Sequence, residues 1–222
     1  ALFFAGPFQS VYYFGNMLNA SIPLAIAGVG AVVAFRSRNF NLGGEGQVYL
    51  GAIATAATCL ALPRELAERA PFLGAAAAAF AGMAAGGLLG ALSGALKRSL
   101  GVDEFLSSFL ASTAAVSLGD FLITGPLQDA GSNFQTTAPI AEAYRFARIL
   151  SPSSLSAACL LAIAVALCAQ FAASRTRFGF EQGLCGKSRE FARYVGVDSG
   201  AYDLWSMALS GALYGLAGAA MI

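Results

Sequence analysis

Long apolar runs limit what this chain can fold into more than any other feature. Phe72 to Leu96 carries no charged residue at all. A bilayer-crossing helix needs about 20 mostly apolar residues, and each of its backbone polar groups must be satisfied inside the segment. Six segments approach that requirement: Tyr13–Phe35, a shorter Gln47–Leu62, Phe72–Leu96, Glu104–Thr124, Pro152–Ala173, and a run opening at Asp203. Nowhere do apolar and polar residues alternate with period two over ten positions, which disfavours a transmembrane β-barrel. The expected fold is all-α: a polytopic integral membrane protein with about six transmembrane helices, occupying 1–222 as one domain. The last run is still apolar at Met221-Ile222, so we expect the sequence to be part of a longer protein.

Composition agrees. Hydrophobic residues make up 57% and charged residues 11%, whereas a soluble domain carries about 25% charged residues. A soluble enzyme and a disordered segment are excluded. A net charge of +1 excludes a nucleic-acid binder. Histidine is absent, which removes imidazole acid–base chemistry and His-type zinc sites. Cys59, Cys159, Cys168 and Cys185 form no C-x-x-C pair and read as small packing residues. No cofactor and no catalytic residue is expected.

Sidedness follows from Lys and Arg in the loops. If Ser174–Tyr202 is cytoplasmic, alternation puts nine cations inside: Arg36, Arg38, Lys97, Arg98, Arg175, Arg177, Lys187, Arg189 and Arg193. Four remain outside: Arg64, Arg69, Arg145 and Arg148.

The third run has a face of small residues, in which Gly74, Ala78, Gly82, Gly86, Gly90 and Gly94 recur every four positions. Small residues let backbones approach closely in lipid. Tight packing inside the chain is the leading reading, and a subunit interface or pore wall is the alternative. Gly211, Gly215 and Ala219 repeat the spacing in the last run.

Two connecting segments do not read as ordinary loops. The first, residues 36–47, packs Gly43, Gly44 and Gly46 into four positions, each costing about 1 kcal/mol against alanine in a helix. It is either a plain cytoplasmic turn or a broken, re-entrant helix at membrane depth. Irregular backbone survives at that depth only where it faces protein or a water-filled path. The shortness of the run that follows favours the break. Asn39, Asn41, Glu45 and Gln47 then place polar groups beside a solute route, with Phe40 and Tyr49 as neighbouring rings.

The second segment is the basic loop over 175–200. Its Gly186-Lys187-Ser188 imitates the end of a phosphate-binding loop, but that motif needs glycine where Glu181 stands. From Lys187 to Val195 the spacing predicts a short surface helix, with Phe191 and Val195 on one face and Arg189 and Arg193 paired beside Glu190. Gly196 ends it. Such a helix lies on lipid headgroups or fills a groove on a partner, and its compactness favours the partner.

These segments also carry a resemblance. Asn41-Leu-Gly-Gly-Glu-Gly-Gln47 followed by Leu50-Gly-Ala52 resembles the N-[IL]-G-x-E-G-Q…G-A signature of bacterial ABC-importer permeases of the branched-chain amino acid and ribose-type group. The nucleoside and simple-sugar branch, which includes riboflavin-like vitamins, is the most similar. Gly101-Val-Asp-Glu-Phe-Leu106 is similar to that branch's G-V-x-E-[VF]-[IL] turn, and Ser210-Gly-Ala-Leu-Tyr-Gly-Leu-Ala-Gly218 to its next helix. Thr176-Arg-Phe-Gly179 through Gly196 resembles its cytoplasmic coupling region, in which Glu190 to Gly196 match E-x-A-x-x-x-G and Phe191 replaces a small residue.

The resemblance implies a non-catalytic permease subunit in the bacterial cytoplasmic (inner) membrane. Gly186, Lys187, Ser188, Arg189, Glu190, Phe191, Ala192, Arg193 and Gly196 would engage separate ATPase subunits. A second permease subunit, identical or homologous, would complete the pathway. An extracytoplasmic solute-binding protein would deliver a nucleoside, a riboflavin-like vitamin or a simple sugar. The competing expectation is an ion-coupled secondary transporter, which buries ionisable groups for its ion; Asp120 is the one candidate inside the confident spans.

Overall fold

The computed structural model describes residues 5–129, 131 and 134–222. The side chain of Arg64, counted above with the outer cations, lies outside that set. Among the described residues nine α-helices follow one another: α1 (Val11–Arg36), α2 (Gly44–Ala61), α3 (Arg64–Arg69), α4 (Pro71–Leu100), α5 (Glu104–Thr124), α6 (Ala158–Arg175), α7 (Arg177–Lys187), α8 (Arg189–Tyr194) and α9 (Ser199–Ala219). Among the described residues there is no strand, only the isolated bridges Gln128–Thr137 and Arg148–Ser156. The all-α class stands.

Among the described residues four helices are long and apolar enough to cross a bilayer: α1, α4, α5 and α6. The two other expected spans, α2 and α9, are not among them. Each dilutes its apolar run with an early polar turn, Glu45 and Gln47 in α2 and Asp203 and Ser206 in α9. Several ends follow from local chemistry. Asp103 caps α5 by accepting from Phe105 N–H, and Asp198 caps α9 by accepting from Gly200 and Ala201 N–H. Gly101 ends α4 at φ 67°, a conformation costly for residues bearing a Cβ. The sixth helix starts at Ala158 rather than Pro152. Residues 150–156 instead dock onto α1, where Asn16 and Asn19 accept from Ser154 and Ser156.

Three helices make the packed centre. The α4 stripe faces α9 backbone to backbone: a Cβ on Gly86 would strike the Gly211 carbonyl, and a Cβ on Gly211 would strike that of Gly86. Gly82 and Gly215 repeat the arrangement one turn away, Gly90 abuts the Met207 carbonyl, and Gly94 rests on Leu204. Helix α2 enters the same contact where Gly51 meets Gly215. A second core joins Ile22 and Ile26 of α1, Ala158 and Ala162 of α6, and Leu216 and Ala217 of α9.

Several basic residues tie helix ends together. Arg36 Nη2 donates to the carbonyls of Ala173 (3.0 Å) and Gly179 (3.2 Å), tying the close of α1 to the α6–α7 corner. Gln182 Nε2 donates to Val33 O (2.8 Å) and Ser206 Oγ (3.0 Å), and Arg98 pairs with Asp198 at 3.0 Å. The ends of α1, α4 and α6 thus meet α7, α8 and the start of α9.

Candidate functional site

Between α1 and α2 the backbone of Ser37 to Gly43 is not helical, yet Ser37, Asn39 and Asn41 are buried. Buried backbone N–H groups need acceptors. Helix α5 supplies them from one face: Glu104 Oε1 lies 3.4 Å from Phe40 N, Ser108 Oγ accepts from Leu42 N (3.0 Å), and Ser112 Oγ accepts from Gly46 N (2.8 Å). These three residues are four apart, so they form a vertical polar row. Four residues of α-helix rise about 6 Å, so the segment climbs α5 by that distance before α2 begins, and Ser112 then holds the first turn of α2.

Helix α9 holds the other side. Asn41 Nδ2 donates to Ser210 Oγ (3.0 Å) and to Gln47 Oε1 (2.9 Å), while Gln47 Nε2 donates back to Asn41 Oδ1 (3.1 Å). Asn39, Asn41 and Gln47 are therefore fully engaged within the chain.

A charged cluster closes the bottom of this clamp. Lys97 Nζ meets Glu104 Oε2 at 2.6 Å, and Arg189 forks onto Asp203 with two hydrogen bonds of 2.9 and 2.8 Å. Asn39 sits between the pairs. Its Oδ1 accepts from Lys97 (2.8 Å) and lies 3.5 Å from Arg189 Nη2. Two cations and two anions balance. A polar pocket of about 430 Å3 opens against the same four side chains and Arg193, whose Nε donates to Ser199 Oγ (3.2 Å).

The predicted surface helix is split. Ser188 is extended and caps α8 by accepting from Phe191 N–H, which leaves Lys187 at the end of α7. Gly196, at φ 85°, turns the chain after Val195. Gly186 packs against the Arg36 carbonyl. Ala192 is buried, and Arg189 is turned inward. Phe191, Tyr194 and Val195 stand out, with Tyr194 88% exposed. Behind α8, Tyr202 Oη donates to Glu181 Oε2 (2.6 Å). That hydrogen bond and Arg177 hold the Glu181 carboxyl below its usual range. Burial and the same hydrogen bond push Tyr202 up to about 12.

Glu45 and Tyr49 take a different position from the asparagines. They line a cavity of about 730 Å3 with Ala27, Val48, Val116 and Tyr214. Tyr49 Oη donates to Asp120 Oδ1 at 2.7 Å, and the Tyr214 ring covers Gly44. Glu45 is exposed and has no hydrogen-bond or ion-pair partner among the described residues. Phe40 packs against Phe35 with tilted rings whose centres are 5.3 Å apart, and does not line this cavity.

Comparison with known proteins completes the description. Residues 13–222 match the family described as branched-chain amino acid transport system / permease component. The chain belongs to this family. As a permease component it is 35% identical over 218 residues to a probable riboflavin import permease of Treponema pallidum, covering 98% of this chain and 57% of that protein. A glucose ABC transporter permease of Haloferax volcanii is 29% identical, covering 93% and 56%. A guanosine ABC transporter permease of Bacillus subtilis is 27% identical, covering 96% and 61%. This permease component thus spans little more than half the length of those relatives. No solved structure matches it.

Several residues of the clamp and the contacts beside it carried no site role in the sequence reading: Lys97, Glu104, Ser108, Ser112, Gln182, Asp203, Ser206 and Ser210. The available signal was polar spacing inside apolar helices, 104–108–112 in α5 and 203–206–210 in α9. Tyr214 was equally missed, hidden in a glycine-rich run.

Proposed function

We propose that the chain forms the membrane pathway of an ATP-driven importer, with α8 as its contact to separate ATPase subunits. The carrying observation is the build of α8: one side pinned to the bundle by the Arg189–Asp203 fork, the other presenting Phe191, Tyr194 and Val195. An apolar corner beside basic residues suits a protein groove. Family membership supports a second permease subunit, a solute-binding protein outside, and a bacterial cytoplasmic membrane. The permease itself carries out no chemistry. In this reading 36–47 is a re-entrant segment, supported by its climb along the membrane-length helix α5.

The test is reconstitution of the full-length chain with its ATPase and solute-binding protein in liposomes. Uptake should require ATP and survive collapse of ion gradients. Phe191→Asp should reduce ATPase co-purification at least tenfold. Uptake that stops on gradient collapse while ATP is present would establish the secondary-transporter alternative instead.

The cavity at Glu45, Tyr49 and Tyr214 is our choice for the solute route. Its flat rings suit a nucleoside or a riboflavin-like solute, with a simple sugar second. The names of the relatives cover these three classes. Ring stacking is worth about 0.5–1.5 kcal/mol beyond burial. Tyr214→Ala should therefore cut uptake of the planar solute roughly three- to tenfold while ATPase co-purification persists. An unchanged uptake rate would remove Tyr214 from the route.

A further inference from the structure

We infer that Asn39 is the positioning residue that gears α8 to segment 37–43, and through it to the start of α2 at the cavity. This rests on the reading of α8 as the ATPase contact. Three observations carry it. First, the Asn39 side chain is completely buried, and its polar atoms face partners on three helices. Its oxygen takes Lys97 of α4 at 2.8 Å and faces Arg189 of α8 at 3.5 Å; its nitrogen faces the Asp203 carbonyl of α9 at 3.5 Å and donates to Ser37 Oγ at 3.1 Å. A single amide thus joins the moving candidate, α8, to the irregular backbone.

Second, that backbone departs from ordinary conformations at one end and is bounded by glycines at the other. Arg38, directly before Asn39, sits at φ 60°, in the left-handed region. Such residues store about 1–3 kcal/mol and collect at switch segments. Gly43 and Gly44 bound the other end, where Gly43 must clear Gln47 and Asn41 and Gly44 lies under the Tyr214 ring. Asn39 thus lies between a left-handed residue and a glycine pair.

Third, the network continues without a gap. From Asn39 the segment passes to Asn41, whose amide grips Gln47 on α2 within one helical turn of Glu45 and Tyr49. Coupling between sites travels through such contiguous hydrogen-bond and ion-pair networks when an element has two arrangements. The Lys97–Glu104 and Arg189–Asp203 pairs flank the amide with balanced charge, so Arg189 can shift relative to Asn39 without leaving an ion unpaired.

The experiment uses the full-length permease assembled with its ATPase and solute-binding protein in liposomes, reading solute moved per ATP hydrolysed. Asn39→Leu fills the same space without polar atoms. It should still co-purify with the ATPase but move at least fivefold less solute per ATP. Asn39→Gln keeps both the acceptor and the donor of the amide without adding a charge and should retain at least half of the parent ratio. A parental ratio in Asn39→Leu overturns the inference. So does loss of assembly in both variants, which would make Asn39 purely architectural. If the parent complex itself shows no ATP-driven uptake, the importer reading fails, and the gearing assigned to Asn39 falls with it.

Discussion

Gly86→Leu in α4 is expected to leave almost no well-folded protein in detergent extracts. The glycine faces α9 so closely that even a Cβ would strike the Gly211 carbonyl and lie 2.8 Å from Gly215 N. Both obstacles are backbone, so no side-chain rotation relieves them, and the helices must separate along the whole stripe. Separation removes the dispersion contacts that hold membrane helices together, since lipid offers no hydrophobic drive to close the gap again. Overpacking costs about 1–3 kcal/mol in ordinary cores and more where backbone must move. The reciprocal change Gly211→Leu should behave alike, because its Cβ meets the Gly86 carbonyl. Gly28 supplies the control. It is also a helical glycine in an apolar run, but nothing lies within 4 Å of the position its Cβ would take. Gly28→Ala should melt at or above the parent temperature in a detergent thermal assay, since alanine is the better helix former by about 1 kcal/mol. A monodisperse, parent-like melt for Gly86→Leu would show that α4 and α9 do not meet through this ladder.

The contrast between α4 and the irregular segment shows what the sequence made legible. Hydropathy alone located α1, α4 and α5 to within a few residues, because a membrane-length helix must announce itself over some twenty positions. The expected start of α5 at Glu104 agrees with the structure, where Asp103 caps it. Residues 36–47 were recognisable as unusual from their glycines, but not the means of their burial. Gly44 and Gly46 proved to be inside α2, tolerated because the Tyr214 ring and Ser112 occupy the space their side chains would have filled. Ser108 and Ser112 read as minor polar interruptions of an apolar helix, and only the arrival of a foreign backbone gives them a task. The pairing of Arg189 with Arg193 is a similar case. Spacing puts both on one helix, but it carries no information about Asp203, which approaches from the next helix after a turn at Gly196.

Asp203→Ala is the second change of large effect. Asp203 is buried, with its side chain 6% exposed, and it takes both forks of Arg189, which is 34% exposed. Removing it strands a guanidinium beside Lys97 and Asn39, turning a balanced cluster into one with an excess positive charge. Breaking a buried pair by deleting one partner costs about 3–5 kcal/mol, and the partial exposure of Arg189 places this case near 3. A domain of this size loses roughly 2–4 °C of melting temperature per kcal/mol, so a fall of roughly 10 °C is expected. The loss should reach function as well, since α8 would keep only the Arg193–Ser199 hydrogen bond to α9 and the face carrying Phe191 and Tyr194 would be held less firmly. ATPase co-purification should therefore drop along with the melting temperature. The double variant Arg189→Met/Asp203→Leu separates the two effects. Apolar replacement of both partners commonly restores stability, so its melt should return most of the way to the parent value. Coupling of ATP hydrolysis to uptake should not return, because the cation facing Asn39 is gone. If Asp203→Ala melts within 2–3 °C of the parent, a shift worth about 1 kcal/mol, the fork does not anchor α8, and the basic end of the bundle must be held by its other contacts, those of Arg36, Gln182, Arg98 and Arg193 among them.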